Sequence, residues 1–589
     1  MSFDPLPWSA AGAAASPAFS ADGKTLFHVR GLHGRPWAQH LDTGEARLLA
    51  DPGERVTLLR RAPADDRLVY GFDRGGDERL QLWLLDGEPR PLTHRPDAVH
   101  AFGAWSPDGQ AISFAANDAD PARFALYTLD LATGARRQFL DVPGELAPGA
   151  WHPDGTRFLA VHDRSSGDQR VLIVDAASGA AQEIPRQGAR FASVRWAEGR
   201  LLALTDAGRD MMALCELDPA TGDATPVHAP DGRDVEVWSM APGGAALATP
   251  GRAALATIEN DRGWSVLRIG PPTGERPVVA GLPPGVLSDL AWSQDGKQLA
   301  VVASSPTGPA GLWLVEDGKP RPLWQPDPPG PCIVPELVEW QAQDGRAVPG
   351  WLAYPAGEPP AAGWPAIVWV HGGPASQTRP NFRGDMQALL AQGYALLMPN
   401  VRGSTGYGRA AMDSDDLGKR LDAVEDLVAG GRWLAARPDI DATRIAVMGQ
   451  SYGGYMVLAA LVEAPELWRA GIDFYGIGDF TTLLAGTGPW RRAHRATEYG
   501  DPAHHRALFG RISPLRRFDR LRAPLLVLHG TRDPRVPFEE SVAVVDALER
   551  RGHPVAFERF DYAGHGFLRP EDRARAFAAV AAFLERTMA

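Results

Sequence analysis

The sequence predicts two unlike halves, an α/β domain at the carboxyl end capped by an amino-terminal seven-bladed β-propeller. Three observations predict this: a repeat with a period in the forties through residues 1–325, a proline-rich break at 326–332, and alternating strand, loop and helix signals over 333–589 around one serine set between glycines. A chain of 589 residues supports two large domains, and 44% hydrophobic residues is ordinary for packed globular protein.

The repeat comes first. Short turns recur at Ser20 to Gly23, Pro63 to Asp66, Ser106 to Gly109, His152 to Gly155, Ala197 to Arg200, Ala241 to Gly244 and Ser293 to Gly296. Counted from Asp22 through Asp65, Asp108, Asp154, Glu198, Gly243 and Asp295, the steps are 43, 43, 46, 44, 45 and 52 residues. An alternating apolar strand follows each turn, as at Thr25 to Val29, Ala111 to Phe114 and Gln298 to Val302. A second turn signal closes each unit, among them Leu41 to Gly44, Leu131 to Gly134 and Pro219 to Gly222. Two hairpin signals per unit of this length read as four-stranded blades, and seven turns as seven blades.

The break is the stretch Gln325, Pro326, Asp327, Pro328, Pro329, Gly330, Pro331, too rich in proline for a strand or helix and read as a stiff linker. Beyond it the order of signals implies a mostly parallel sheet with helices on both faces. Within that half, Gly449, Gln450, Ser451, Tyr452, Gly453 stands between the apolar run Ile445 to Met448 and the helix-like run Met456 to Leu461. A serine with glycines two residues before and after it, entered from a strand and left by a helix, is the nucleophile elbow of an α/β-hydrolase. Of all serines in the chain, only Ser451 fits the pattern.

A serine hydroxyl becomes a nucleophile when an imidazole takes its proton and a carboxylate fixes that imidazole, and this fold supplies them in the order serine, acid, histidine. The buried-type strand Pro524 to Leu528 runs into His529, Gly530, Thr531, Arg532, Asp533, so Asp533 stands on the rim where ligands bind and is the expected acid. The strand Val555 to Phe560 runs into Asp561, Tyr562, Ala563, Gly564, His565, Gly566, and His565 between glycines is the expected base. His529 and Asp561 are the competitors, the first expected to be structural and the second too near His565 in sequence. The developing oxyanion needs donors, each worth on the order of 100 to 1,000 in rate. The backbone N–H of Tyr452 is one. The second comes either from the loop His371, Gly372, Gly373, Pro374 or from the loop Asn400 to Gly408.

The set HGGP, NVRGSTGYG, GQSYGGY, GTRDPRVP and GHGF, in this order over the whole carboxyl-terminal part, resembles the prolyl oligopeptidase family of serine peptidases, most closely its acylaminoacyl peptidase branch. The resemblance implies that Tyr407 donates its hydroxyl to the oxyanion and that the propeller admits only short or unfolded peptides to Ser451; family members often return an amino-terminal segment to the hydrolase, but here the first blade turn arrives by Asp22, so that extension is expected to be short or missing. It also places the specificity pocket after the nucleophile helix, where Phe474, Phe480 and Trp490 either line an apolar pocket or are core. Arg491, Arg492 and Arg495 follow. They either clamp a peptide carboxylate, directing carboxypeptidase action, or form a solvated helix face with Arg495 pairing Glu498. Dipeptidyl peptidases of the family hold a free amine with propeller glutamates; Asp77 and Glu78 imitate that pattern but fall where a blade strand begins. A general esterase would share the triad and draw its second donor from Gly372 and Gly373.

Composition narrows the partners. A net charge of −12 and a pI near 5.7 argue against nucleic acid. Met1 to Pro7 is not a basic-then-apolar leader, no apolar run approaches spanning length, and Cys215 and Cys332 suggest no disulfide framework, so a cytoplasmic protein free of membrane is expected. The 15 histidines show no metal-ligand spacing. No metal and no cofactor is expected, and the expected partners are short peptides and further copies of the chain in a dimer or tetramer.

Overall fold

The structure, a computed structural model, describes residues 6–9, 11–242 and 254–589. The opening stretch Met1 to Pro5 and the tip of the sixth turn, Gly243 and Gly244, lie outside the described residues.

Seven antiparallel sheets span Ala13 to Trp324, six of four consecutive strands and one, Asp234 to Gly270, of three. In that blade the fourth position is filled by a bridge between Arg268 and Val278. Three of the turn signals share one device. Ser20 Oγ donates to Asp22 Oδ1 at 2.6 Å while accepting from Thr25 N at 2.9 Å, and Ser106 with Asp108 and Ser293 with Asp295 repeat the arrangement. Side-chain oxygens of Ser and Asp thus take over backbone donors that a tight turn leaves unpaired.

Three of the junctions between neighbouring blades are made by inner-strand tryptophans. The indole N–H of Trp105 donates to Arg60 O at 3.2 Å, that of Trp238 to Ser193 O at 3.0 Å and that of Trp292 to Ser239 O at 3.2 Å. Each buries an aromatic face between two sheets while its one polar atom is satisfied. The ring closes where the first blade (Ala14, Phe19, Leu26) packs on the last (Ala300, Val302, Leu312, Leu314). No strand is shared there, since every sheet is built from consecutive strands.

The carboxyl-terminal sheet has eight strands. In sheet order they are Glu336–Gln341, Ala347–Ala353, Ala395–Pro399, Trp364–Val370, Ile440–Gln450, Ala470–Phe474, Leu525–Gly530 and Val555–Phe560; Ala347–Ala353 runs antiparallel to both its neighbours, and every other pairing is parallel. Ala366, Val368 and Val370 point into one core with the helices Arg420–Ala435 and Tyr452–Glu463, while Ile367 and Trp369 point into a second with Gly384–Ala391 and Pro570–Thr587. Burial on both faces is why these strands read as continuous apolar runs. The short helix Leu6–Ser9 packs on Gly384–Ala391 and Pro570–Thr587, so the chain touches the α/β domain before entering the propeller. Among the described residues no helix is long and apolar enough to cross a membrane.

Candidate active site

The site is built on the elbow. Ser451 has φ 59° and ψ −120°, between the strand Ile440–Gln450 and the helix Tyr452–Glu463. A non-glycine residue in this region is strained and persists where its surroundings fix it. The flanking glycines fix it by close approach: a Cβ at Gly449 would lie 2.3 Å from Gly453 O, and one at Gly453 would lie 2.5 Å from Val370 O. Tyr452 opens the helix, so its N–H has no acceptor within it and points out with the positive end of the helix dipole.

His565 Nδ1 lies 2.7 Å from Asp533 Oδ2, and Asp533 Oδ1 accepts the backbone N–H groups of Arg535 at 2.7 Å and Val536 at 2.9 Å. Burial works to raise the Asp533 carboxyl, but the facing His565 and His529 outweigh it and hold the group well below the usual carboxylate range. His529 is buried, with Nε2 3.4 Å from Asp533 Oδ2 and Nδ1 2.7 Å from Ser541 Oγ, so it props the acid. Asp561 is exposed and pairs with Arg559. Ser451 and His565 are both partly exposed, and among the described residues no hydrogen bond joins Ser451 Oγ to His565. Contacts of this kind commonly tighten only around substrate.

Two loops border the elbow. Gly372 is packed so closely on it that a Cβ there would lie 3.3 Å from that of Ser451. His371 Nε2 meets Ser404 Oγ at 3.0 Å, tying this loop to the second. There the Tyr407 hydroxyl accepts from Asn400 Nδ2 at 2.9 Å, which leaves its own proton free to donate; its contact is with Asn400, not Ser451. The Tyr452 side chain turns away from the site into a buried cluster. Its hydroxyl donates to Asp415 Oδ2 at 3.0 Å, and Arg420 pairs with the same oxygen at 2.9 Å and with Glu498 at 3.4 Å.

The residues expected to bind substrate are placed differently. Phe474 and Phe480 are 1% and 0% exposed and belong to the two cores, so neither lines a pocket. An aromatic at a strand end sat within the reach of helix packing that the local pattern does not reveal. Trp490 packs edge-on against Phe124 of the propeller, ring centroids 6.4 Å apart. Arg491 donates to Glu78 Oε2 at 2.8 Å and Arg492 to Ala485 O at 3.1 Å, so the pair is not a free carboxylate clamp. Arg495 bonds Arg535 O at 2.8 Å, and Glu498 pairs with Arg420 instead. The helix Pro489–Tyr499 therefore meets the propeller through Trp490 and Arg491, while Arg492 and Thr497 stay exposed.

Sequence reasoning missed two features at that junction. The propeller loop at Gly75 and Gly76 accepts the backbone N–H groups of Gly564 at 2.8 Å and His565 at 3.2 Å, and Glu78 holds both Arg491 and Arg535. Tyr475 lies against His565 with ring centroids 4.7 Å apart. The signal for the first was the unusual run Gly75, Gly76, Asp77, Glu78 in a blade loop; Tyr475 gave none.

Residues 380–589 match the model of the Prolyl oligopeptidase family. Dipeptidyl aminopeptidase BIII of Pseudoxanthomonas mexicana is 30% identical over 597 aligned residues, covering 95% of this chain and 85% of that protein. The human acylamino-acid-releasing enzyme is 26% identical over 280 residues, 45% of this chain and 37% of its own. Among solved structures, puromycin hydrolase superposes with a TM-score of 0.85 at 23% identity over 100% of this chain and 96% of its own, and Pyrococcus horikoshii acylaminoacyl peptidase with 0.77 at 20% over 100% and 98%. These likenesses show the shared two-domain fold. An elbow serine, a histidine bound to a rim aspartate, a propeller cap and a relative matched over nearly the whole chain lead to one conclusion: the chain belongs to the prolyl oligopeptidase family of serine peptidases.

Proposed function

We propose that this peptidase cleaves short peptides near their amino end and prefers a blocked, acyl-type end. The observation that carries the reading is the Asp533 and His565 pair lying beside the propeller loop Gly75 to Glu78. A peptide in the cleft meets at Glu78 a carboxylate already shared by two guanidinium groups, Arg491 and Arg535. That surplus of positive charge suits a carbonyl better than a free ammonium group.

In this reading Ser451 Oγ attacks the scissile carbonyl carbon while His565 Nε2 takes its proton. The oxyanion is met by the Tyr452 N–H and the Tyr407 hydroxyl. His565 then passes the proton to the departing amine as the C–N bond breaks, leaving an acyl ester on Ser451. Water attacks that ester, His565 accepting its proton and returning it to Ser451. Asp533 keeps the imidazole in the tautomer that presents Nε2.

A second reading, release of a dipeptide from a free amino end, is favoured by the name of the relative matched over 95% of this chain, a dipeptidyl aminopeptidase. Mass spectrometry of products from peptides with free, acetylated and amidated ends separates the two. Release of acetyl-residues supports the first reading, dipeptides from free ends only the second, and single residues from the carboxyl end would overturn both. Cleavage of simple esters with all peptides left intact would instead support a general esterase. The free thiols of Cys215 and Cys332 fit a reducing, cytoplasmic setting.

A further inference from the structure

Tyr475 directly follows the strand Ala470–Phe474 with φ 43°, a left-handed conformation that is costly for a bulky side chain and natural for glycine. It is 4% exposed, and its backbone N–H is fixed to Leu528 O at 2.8 Å. Four rings surround it: His565 at 4.7 Å, Phe567 at 5.7 Å, His529 at 6.0 Å and Phe474 at 6.2 Å between centroids. The strained backbone delivers the ring to the one functional side chain in this group, His565, across a tilt of 57°.

That side chain needs a wall. His565 stands between Gly564 and Gly566, the latter at φ 84°, so its own loop restrains the imidazole little. Gly76 holds its backbone and Asp533 its Nδ1. Neither contact prevents the ring from swinging about the Asp533 bond. We infer that Tyr475 is a positioning residue for the catalytic histidine: its ring face fixes the orientation of the His565 imidazole, so that Nε2 points at Ser451 both as base and, once protonated, as acid. The contacts that seat Tyr475 against its neighbours are made by its ring, so the ring and not the hydroxyl carries the role.

The inference rests on the peptidase reading, and the experiment separates the two. Native enzyme, Tyr475→Phe, Tyr475→Leu and Ser451→Ala are compared on acetyl-alanyl and alanyl-alanyl p-nitroanilides, together with the low-field proton resonance of the bond between His565 Nδ1 and Asp533. Expected are Tyr475→Phe within about twofold of native and Tyr475→Leu about tenfold lower in kcat with KM within about twofold, its low-field resonance broadened or lost. Native kcat in Tyr475→Leu, or equal damage in Tyr475→Phe, would overturn the inference. Should Tyr475→Leu lose its native thermal transition, Tyr475→Met is read in its place with the same two outcomes. Turnover persisting in Ser451→Ala would instead sink the peptidase reading itself.

Discussion

The backbone N–H of His565 donates to the carbonyl of Gly76 at 3.2 Å, so the histidine loop of one domain hangs on a turn of the other. Gly564 makes the same approach beside it, and a Cβ there would lie 1.9 Å from Gly76 O. Gly564→Ala must push the two loops apart and carry the imidazole with it. The expected loss in kcat is about 100-fold, the scale of a misplaced catalytic group, with little change in thermal midpoint.

Glu78 is the second tie across the junction. Glu78→Gln removes the charge that separates Arg491 from Arg535 and leaves two guanidinium groups facing one another. In steady-state assays kcat/KM should fall about tenfold, more at low salt than at high. An equal loss on acetylated and free peptides fits the blocked-end reading; a loss confined to free-amine peptides would transfer the case to dipeptide release.

Asp533→Asn keeps the shape of the acid but favours the wrong tautomer of His565. A fall in kcat of about 1,000 to 10,000-fold with KM within about threefold is expected. A variant near native rate would remove Asp533 from the machinery.

Tyr407→Phe tests the second oxyanion donor. With Asn400 donating to the hydroxyl, the phenolic proton is free for the oxyanion, and kcat should drop at least about tenfold. An undiminished rate would assign the role to the amides of Gly372 and Gly373.

Asp473 lies under the nucleophile helix, fully buried, with Oδ1 accepting from Gly476 N at 2.8 Å. Burial pushes its carboxyl from 3.8 up to about 7, with Glu540 adding to the shift. The folded state therefore keeps a proton that the unfolded chain has already lost, and this group's contribution to stability falls as pH rises from 3.8 to about 7. Asp473→Asn mimics the protonated form. Thermal unfolding should find it level with native protein near pH 4 and more stable at pH 8.

The chain's local patterns carried much of this. The serine-aspartate turns announced three of the blades because the same two side chains close each of those hairpins, and Gly449, Ser451 and Gly453 announced the elbow because no other residues fit that approach. What escaped was set by partners remote in sequence. Glu78 meets Arg491 across 413 residues and Arg535 across 457, and no window around Glu78 contains either. Phe474 and Phe480 were ambiguous for the same reason, since an aromatic's burial is decided by the helices that later pack on it. Tyr475 was illegible because its φ is imposed by tertiary contacts and breaks the local preference.

Both stems of the propeller are rooted on one platform. The helix Leu6–Ser9 rests on Gly384–Ala391, and at the other stem Ile333 exchanges two hydrogen bonds of 2.8 Å with Gln387 of that same helix. A lid fastened at a single point could swing freely, but one fastened by two adjacent straps can only rock about the line joining them. The seam between the first and last blades adjoins those straps. Parting the halves far enough to free Gly75 and Gly76 would withdraw the contact that holds His565, disarming its loop in the act of admitting a peptide.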